Sequence, residues 1–278
     1  MNCAWDSFLS ILPPDMRWQV DNLGRTTLQE LRLRLGEPVE LVLQSGSKWV
    51  DRHTSTQDLS FVINTASRYS PWAAASAAKG YITAPGGHRI GICGEAVLQK
   101  GEMTGITNPS SLCIRIARDF PGISRGCPTT GSVLILGPPG SGKTTLLRDL
   151  IRRRSDEGRG NVAVVDERGE LFPVRAGFSK GKRTDVITGC TKDQGLQMLL
   201  RTAGPSVIAV DEITSGEDCR ALIHAGWCGV ELMATAHAAC VQDLYCRDIY
   251  KPLSQTKLFD TLLVLSRDKT WKLERMKL

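Results

Sequence analysis

Aromatic residues are scarce in this chain, 6% of 278 positions, which leaves few stacking platforms of the kind used to bind single-stranded nucleic acid. No basic stripe is interleaved with them. The net charge of +6 permits contact with acidic membranes or nucleic acid but requires neither. Long apolar runs are missing as well. The longest weakly polar stretch, Ala225 to Val241, carries Glu231 and His237 and falls short of a spanning helix. The chain start lacks the basic-then-apolar pattern of a secretory leader, so a cytosolic protein is expected. None of the nine cysteines forms a C-x-x-C pair, which fits reduced thiols and excludes a disulfide scaffold. His224, Cys228, His237 and Cys240 could ligate zinc in principle, but their Ala- and Gly-rich surroundings favour simple buried thiols. Internal repeats and low-complexity segments are absent.

What is present is more decisive. Gly137-Pro138-Pro139-Gly140-Ser141-Gly142-Lys143-Thr144 fills every fixed position of G-x-x-x-x-G-K-[ST]. It follows the apolar run Ser132 to Leu136, which reads as a buried parallel strand, and opens the amphipathic stretch Thr144 to Arg154, which reads as a helix. Glycines let backbone N–H groups close around phosphates, and the helix start adds a positive dipole end. Lys143 is expected on the β- and γ-phosphates and the Thr144 hydroxyl on Mg²⁺, with Thr145 continuing the nucleotide contacts. Downstream, Val207 to Val210 is a second apolar strand ending in Asp211-Glu212. Asp211 is the candidate Mg²⁺ ligand and Glu212 the candidate general base for an attacking water. No Asn-Lys-x-Asp guanine-reading tetrapeptide occurs, so ATP is expected over GTP.

The organisation reads as α/β in two parts, divided in the turn-rich stretch Phe120 to Gly131: residues 1–125 and residues 126–278. In the first part, Leu28 to Val50 alternates as a helix or strand system with one wet face. Asp58 to Lys79 reads as helical, with Pro71 separating two helices, and His88 to Gly94 and Ser111 to Arg118 read as strands. In the second part, strands near Val133, Val162, Val207 and Met233 alternate with helices, giving a mainly parallel sheet covered on both faces. Leu258 to Leu265 and Trp271 to Met276 read as a closing strand pair. Asp166, Glu167 and Glu170 sit at a strand end facing the expected ligand crevice, either as catalytic groups or as a solvated acidic turn. Glu170 is the alternative base should Glu212 not serve.

Four blocks in order resemble the type II/type IV secretion ATPase superfamily: the phosphate loop, Val164 to Leu171, Leu199 to Pro205 leading into Asp211-Glu212, and Leu232 to His237. Their order and spacing over about 110 residues are far more specific than any single block. Leu31 to Arg34 with Gly36-Glu37-Pro38, Gly87 to Gly94, and Ser111 to Arg118 extend the match, resembling the N-terminal half of the stage III sporulation protein AA family. The resemblance implies a RecA-like ATPase domain preceded by a smaller α/β domain. It implies His237 as a γ-phosphate sensor, and Arg89 or Arg115 acting at a neighbour's nucleotide across a subunit boundary. It further implies a homo-oligomeric ring, six subunits being the candidate size, that works with integral-membrane partners. The implied role is to power a secretion-like channel between mother cell and forespore, from the cytoplasmic side of a mother-cell membrane. Two departures stand out: Asp211 replaces the Gly common before the Glu, and Ala238-Ala239 replaces the usual residues after the His. The runner-up reading is a nucleic-acid-stimulated RecA-like ATPase; no stable nucleic-acid partner is expected. A non-hydrolysing scaffold is the third, and Glu212 argues against it.

Overall fold

The structure, a computed structural model, describes residues 1–43, 45–67, 80–158, 160–173 and 176–275. The chain divides into two compact units: Met1–Asp119 with Pro173–Gly177, and Phe120–Phe172 with Phe178–Leu278.

The first unit is built on an antiparallel sheet of six strands in the order β3-β2-β1-β6-β5-β4. The strands are β1 (Leu28–Arg34), β2 (Pro38–Leu43), β3 (Gly46–His53), β4 (Tyr81–Thr83), β5 (Arg89–Gln99) and β6 (Glu102–Arg115). The Leu-Arg-Leu-Arg alternation of β1 resolves as strand. Leu31 and Leu33 are buried while Arg32 and Arg34 stand on the opposite, wetter face, as the two-residue period demands. Helices α1 (Trp5–Ser10), α2 (Pro14–Asp21) and α3 (Thr56–Ser67) supply Trp5, Phe8, Met16, Leu59 and Val62 to the core over the leucine face. The first two helices carry no strong periodic signal and were not anticipated from sequence. The helix expected beyond Pro71 lies outside the described residues.

The second unit has a sheet of seven strands, β13-β12-β7-β11-β10-β8-β9. Strands β7 (Val133–Leu136), β8 (Val162–Asp166), β9 (Thr184–Thr188), β10 (Val207–Ile213), β11 (Glu231–Ala236) and β12 (Thr261–Leu265) run parallel. Only β13 (Trp271–Glu274) is antiparallel, closing one edge against β12. Central strands are buried on both faces, which is why β7, Val162 to Val165 of β8 and Val207 to Val210 of β10 read as unbroken apolar runs. Helix α4 (Lys143–Glu157) covers one face with Leu146, Leu147, Leu150 and Ile151. The other face is covered by α5 (Lys192–Thr202), α6 (Gly216–Trp227), α7 (Gln242–Cys246) and α8 (Lys251–Thr256). Thr191 and Ser215 start α5 and α6 with reciprocal capping boxes.

The division between units falls at Asp119/Phe120, six residues before the expected 125/126 boundary. The turn-rich stretch is tied to the second unit by α4: Gly122 N–H, Ser124 N–H and Ser124 Oγ all donate to the buried Asp149 carboxylate, at 2.9, 2.8 and 2.7 Å. Pro173–Gly177 leaves the second unit to pack in the first, where Pro173 and Ala176 lie within 3.0 Å of a Cβ placed on Gly87. No helix among the described residues is long and apolar enough to cross a membrane.

Candidate nucleotide site

The phosphate loop leaves the C-terminal end of β7 and enters α4 at Gly142, whose φ of +97° is a left-handed conformation that L side chains rarely adopt. Lys143 is the first residue of α4, and its side chain folds back over the loop. Its ammonium donates to Gly137 O at 2.9 Å, Pro138 O at 3.0 Å and His237 Nδ1 at 3.0 Å. Burial pulls this ammonium below the usual lysine range, and the nearby Asp211 and Glu212 carboxylates offset part of the effect. Ser141 Oγ is buried in the loop without a hydrogen-bond partner, a polar atom left for a bound oxyanion or water to satisfy.

Strand β11 borders the loop strand and β10 lies next beyond it, and the two bring the remaining groups to the loop. The Thr144 hydroxyl donates to Asp211 Oδ2 at 2.9 Å. Glu212, next along the chain, sits at φ +40° with its carboxylate turned toward His237 at the end of β11; His237 Nε2 lies 3.0 Å from Glu212 Oε1. Because an ammonium only donates, His237 Nδ1 must accept from Lys143, and the protonated Nε2 then faces the Glu212 carboxylate. Lys143, His237 and Glu212 thus form one row of polar contacts from the phosphate loop to the candidate base.

The acidic loop after β8 forms the far wall of the crevice, which is lined by Asp166, Glu167, Arg168, Glu170, Asp211 and Glu212 among others. Asp166 is structural. Burial raises its carboxyl to about 6, against the backbone N–H groups it accepts from. Those donors include Glu170 and Phe172, both at 2.8 Å. From α4, the buried Arg148 guanidinium binds the carbonyls of Leu171 and Glu170, fixing the other side of the loop. Glu167 is paired with the buried Lys192 at 2.7 Å, and Arg168 reaches within 4.0 Å of Glu212. Glu170 lines the crevice, and its backbone N–H and carbonyl bind Asp166 and Arg148. Lys192 was not singled out from the sequence, where it reads as one more solvated cation at a helix start. Thr235 appeared there only inside the block ending at His237, although a hydroxyl inside Leu-Met-Ala-Thr-Ala was the available signal.

In the first unit, Arg89 and Arg115 are directly paired across β5 and β6 and so share one face of that sheet. Arg115 donates to Glu30 at 3.1 Å while keeping 68% of its side chain exposed, and the Arg89 guanidinium lies 4.3 Å from the Tyr81 ring centre. Arg118 is spent on backbone carbonyls, donating to Arg25 O and Leu28 O.

A hydroxyl and a carboxylate 2.9 Å apart beside a phosphate loop are hard oxygen donors of the kind Mg²⁺ takes alongside substrate phosphates and water. The residues therefore fit that ion. The model of the family described as sporulation stage III, protein AA, matches residues 9–273. Stage III sporulation protein AA of Bacillus subtilis (strain 168) is 35% identical over 277 residues, spanning 93% of this chain and 90% of that protein. Among solved structures, the pilus retraction motor PilT with bound ADP superposes with a TM-score of 0.63 at 15% identity, over 95% of this chain and 83% of that one. The Legionella pneumophila ATPase DotB does so with a TM-score of 0.57 at 19% identity, over 95% and 80%. At such identities the likeness concerns the fold alone, which is α/β with a RecA-like, mainly parallel sheet. The chain belongs to the sporulation stage III protein AA family.

Proposed function

We propose that this protein is an Mg²⁺-dependent ATP hydrolase that works as the motor of a secretion-like channel complex between mother cell and forespore. The observation that carries the reading is the row Lys143–His237–Glu212 with Asp211 on Thr144, which brings a phosphate binder, a metal-ligand pair and a base to one end of the sheet. On binding ATP, Lys143 exchanges its contacts with Gly137 O, Pro138 O and His237 for β- and γ-phosphate oxygens. Thr144 and Asp211 would hold Mg²⁺, which when bound neutralises charge building on those oxygens. Glu212 orients a water and takes its proton as the oxygen–Pγ bond forms and the bond from Pγ to the bridging oxygen breaks, leaving ADP and phosphate. His237, freed from Lys143, reports the γ-phosphate to Glu212.

Family membership supports the sporulation setting, and the reading takes the protein as a homo-oligomeric ring in which Arg89 or Arg115 of one subunit serves the nucleotide of the next. Integral-membrane components are the partners this reading requires. The test is a pull-down from sporulating cells with Glu212→Gln protein and ATP, against Lys143→Ala protein as the nucleotide-free control. Membrane proteins retained by the first and lost by the second are expected; equal retention by both would contradict an ATP-driven engagement.

A further inference from the structure

Between the pairs Val210↔Ala234 and Ile213↔Ala236, β10 has one residue more than β11, so Asp211 and Glu212 together face the single residue Thr235. This is a β-bulge, a device that re-aims side chains. Thr235 is fully buried, between the buried apolar Ala234 and Ala236, where a hydroxyl without partners would be costly. Its partners belong to the candidate machinery alone. Thr235 Oγ1 donates to Asp211 Oδ1 at 2.8 Å and accepts from the Glu212 backbone N–H at 2.9 Å. The same N–H lies 3.1 Å from Asp211 Oδ1, closing a three-membered network. With Oδ1 engaged there, Oδ2 is the oxygen that meets the Thr144 hydroxyl. The Glu212 N–H, held from the other side, keeps that residue at φ +40°, where a non-glycine backbone persists only if its surroundings over-determine it.

We propose that Thr235 is a positioning residue of the hydrolytic site: its hydroxyl sets both the direction of the Asp211 carboxylate toward Thr144 and the left-handed turn that aims Glu212 at His237. The assignment rests on the hydrolase reading above for its effect on turnover, but not for its effect on the Asp211 donor. Valine at this position keeps the shape and loses both hydrogen bonds, whereas serine keeps the hydroxyl and loses a methyl. The Thr235 hydroxyl is bound to Asp211 Oδ1 and to the Glu212 N–H, so a change in metal dependence on its loss points to Asp211.

The experiment compares wild type, Thr235→Val and Thr235→Ser in two assays. One is a Mg²⁺ titration of fluorescent ATP-analogue binding, which needs no turnover. The other is steady-state ATP hydrolysis, with kcat separated from KM. Thr235→Val should require roughly 10–100-fold more Mg²⁺ for the same binding, the usual effect of removing the support of a metal ligand, and lose kcat by a similar factor with KM less affected. Thr235→Ser should stay within a few-fold of wild type in both. Thr235→Val protein with wild-type Mg²⁺ dependence would overturn the proposal, as would Thr235→Ser protein as defective as Thr235→Val, which would point to packing of the methyl. A wild-type protein that hydrolyses nothing sinks the hydrolase reading, while the binding titration still decides the role of Thr235. Should Thr235→Val not fold, Thr235→Ala removes the same hydroxyl among alanine neighbours and carries the same expectations.

Discussion

His88 shows at the residue scale how a polar group can lie in a core without any part in the chemistry. It is fully buried, accepts the Ala117 N–H on Nδ1 at 3.2 Å and faces Ala4 O with Nε2 at 3.0 Å, so the neutral ring with its proton on Nε2 satisfies both bonds. A second proton would break the first of these. Burial accordingly pushes the imidazole from 6.5 down to about 4. Because the folded pKa lies below the unfolded one, the unfolded chain takes up the proton first as pH falls. The stability tied to neutral His88 is complete above pH 6.5 and lost progressively toward pH 4, on the order of 3 kcal/mol in all. In urea unfolding at several pH values, His88→Gln protein should be less stable than wild type near neutrality, with the gap shrinking on acidification through that window. A gap that does not change with pH would contradict the assignment.

At the scale of elements, Gly195 in α5 tests whether helix or sheet packing governs. In an exposed helix, Gly to Ala gains about 1 kcal/mol. Here a Cβ would sit 2.6 Å from Val165 Cγ1 and 2.9 Å from Cγ2, on a fully buried side chain of β8. Gly195→Ala should therefore destabilise by roughly 1–3 kcal/mol, as overpacking does, with a lowered denaturation midpoint; a raised midpoint would show that α5 stands off the sheet. The elements most legible in sequence were those whose signal is local. The apolar runs of β7, β8 and β10 and the phosphate loop each state their own structure. The β1 alternation left helix and strand open until its pairing with β2 and β6 was known. The excursion of Pro173–Gly177 and the bulge at Asp211-Glu212 are long-range matters. They depend on what a segment meets elsewhere in the chain, and no window of neighbouring residues contains that information. For the same reason the candidate residues on fixed motifs are legible in the sequence, whereas the placement of Lys192 and Thr235 is not.

For the whole molecule, the reading is an assembly whose site is completed by a second copy. Arg89 and Arg115 stand side by side on adjacent strands of the first unit, while Lys143, Asp211, Glu212 and His237 belong to the second. A positioned arginine is commonly worth roughly 10³–10⁵ in rate. Lys143→Ala and Arg89→Ala proteins (or Lys143→Ala and Arg115→Ala) should each be inactive alone and regain partial activity when mixed and reassembled. Only a mixed ring can bring an intact lysine and an intact arginine to one nucleotide. Mixtures that stay inactive while forming mixed oligomers would confine these arginines to their own subunit.

The central claim is that Glu212 activates the attacking water, and single-turnover phosphate release with pre-bound ATP and Mg²⁺ tests it most directly. Glu212→Gln keeps the shape and the reach toward His237 but cannot take a proton. With ATP binding preserved, its release of phosphate should be roughly 10²–10⁴-fold slower than that of wild type. Release at the wild-type rate from fully bound Glu212→Gln protein would contradict the account and move the base elsewhere along the crevice, with Glu170 the first residue to examine.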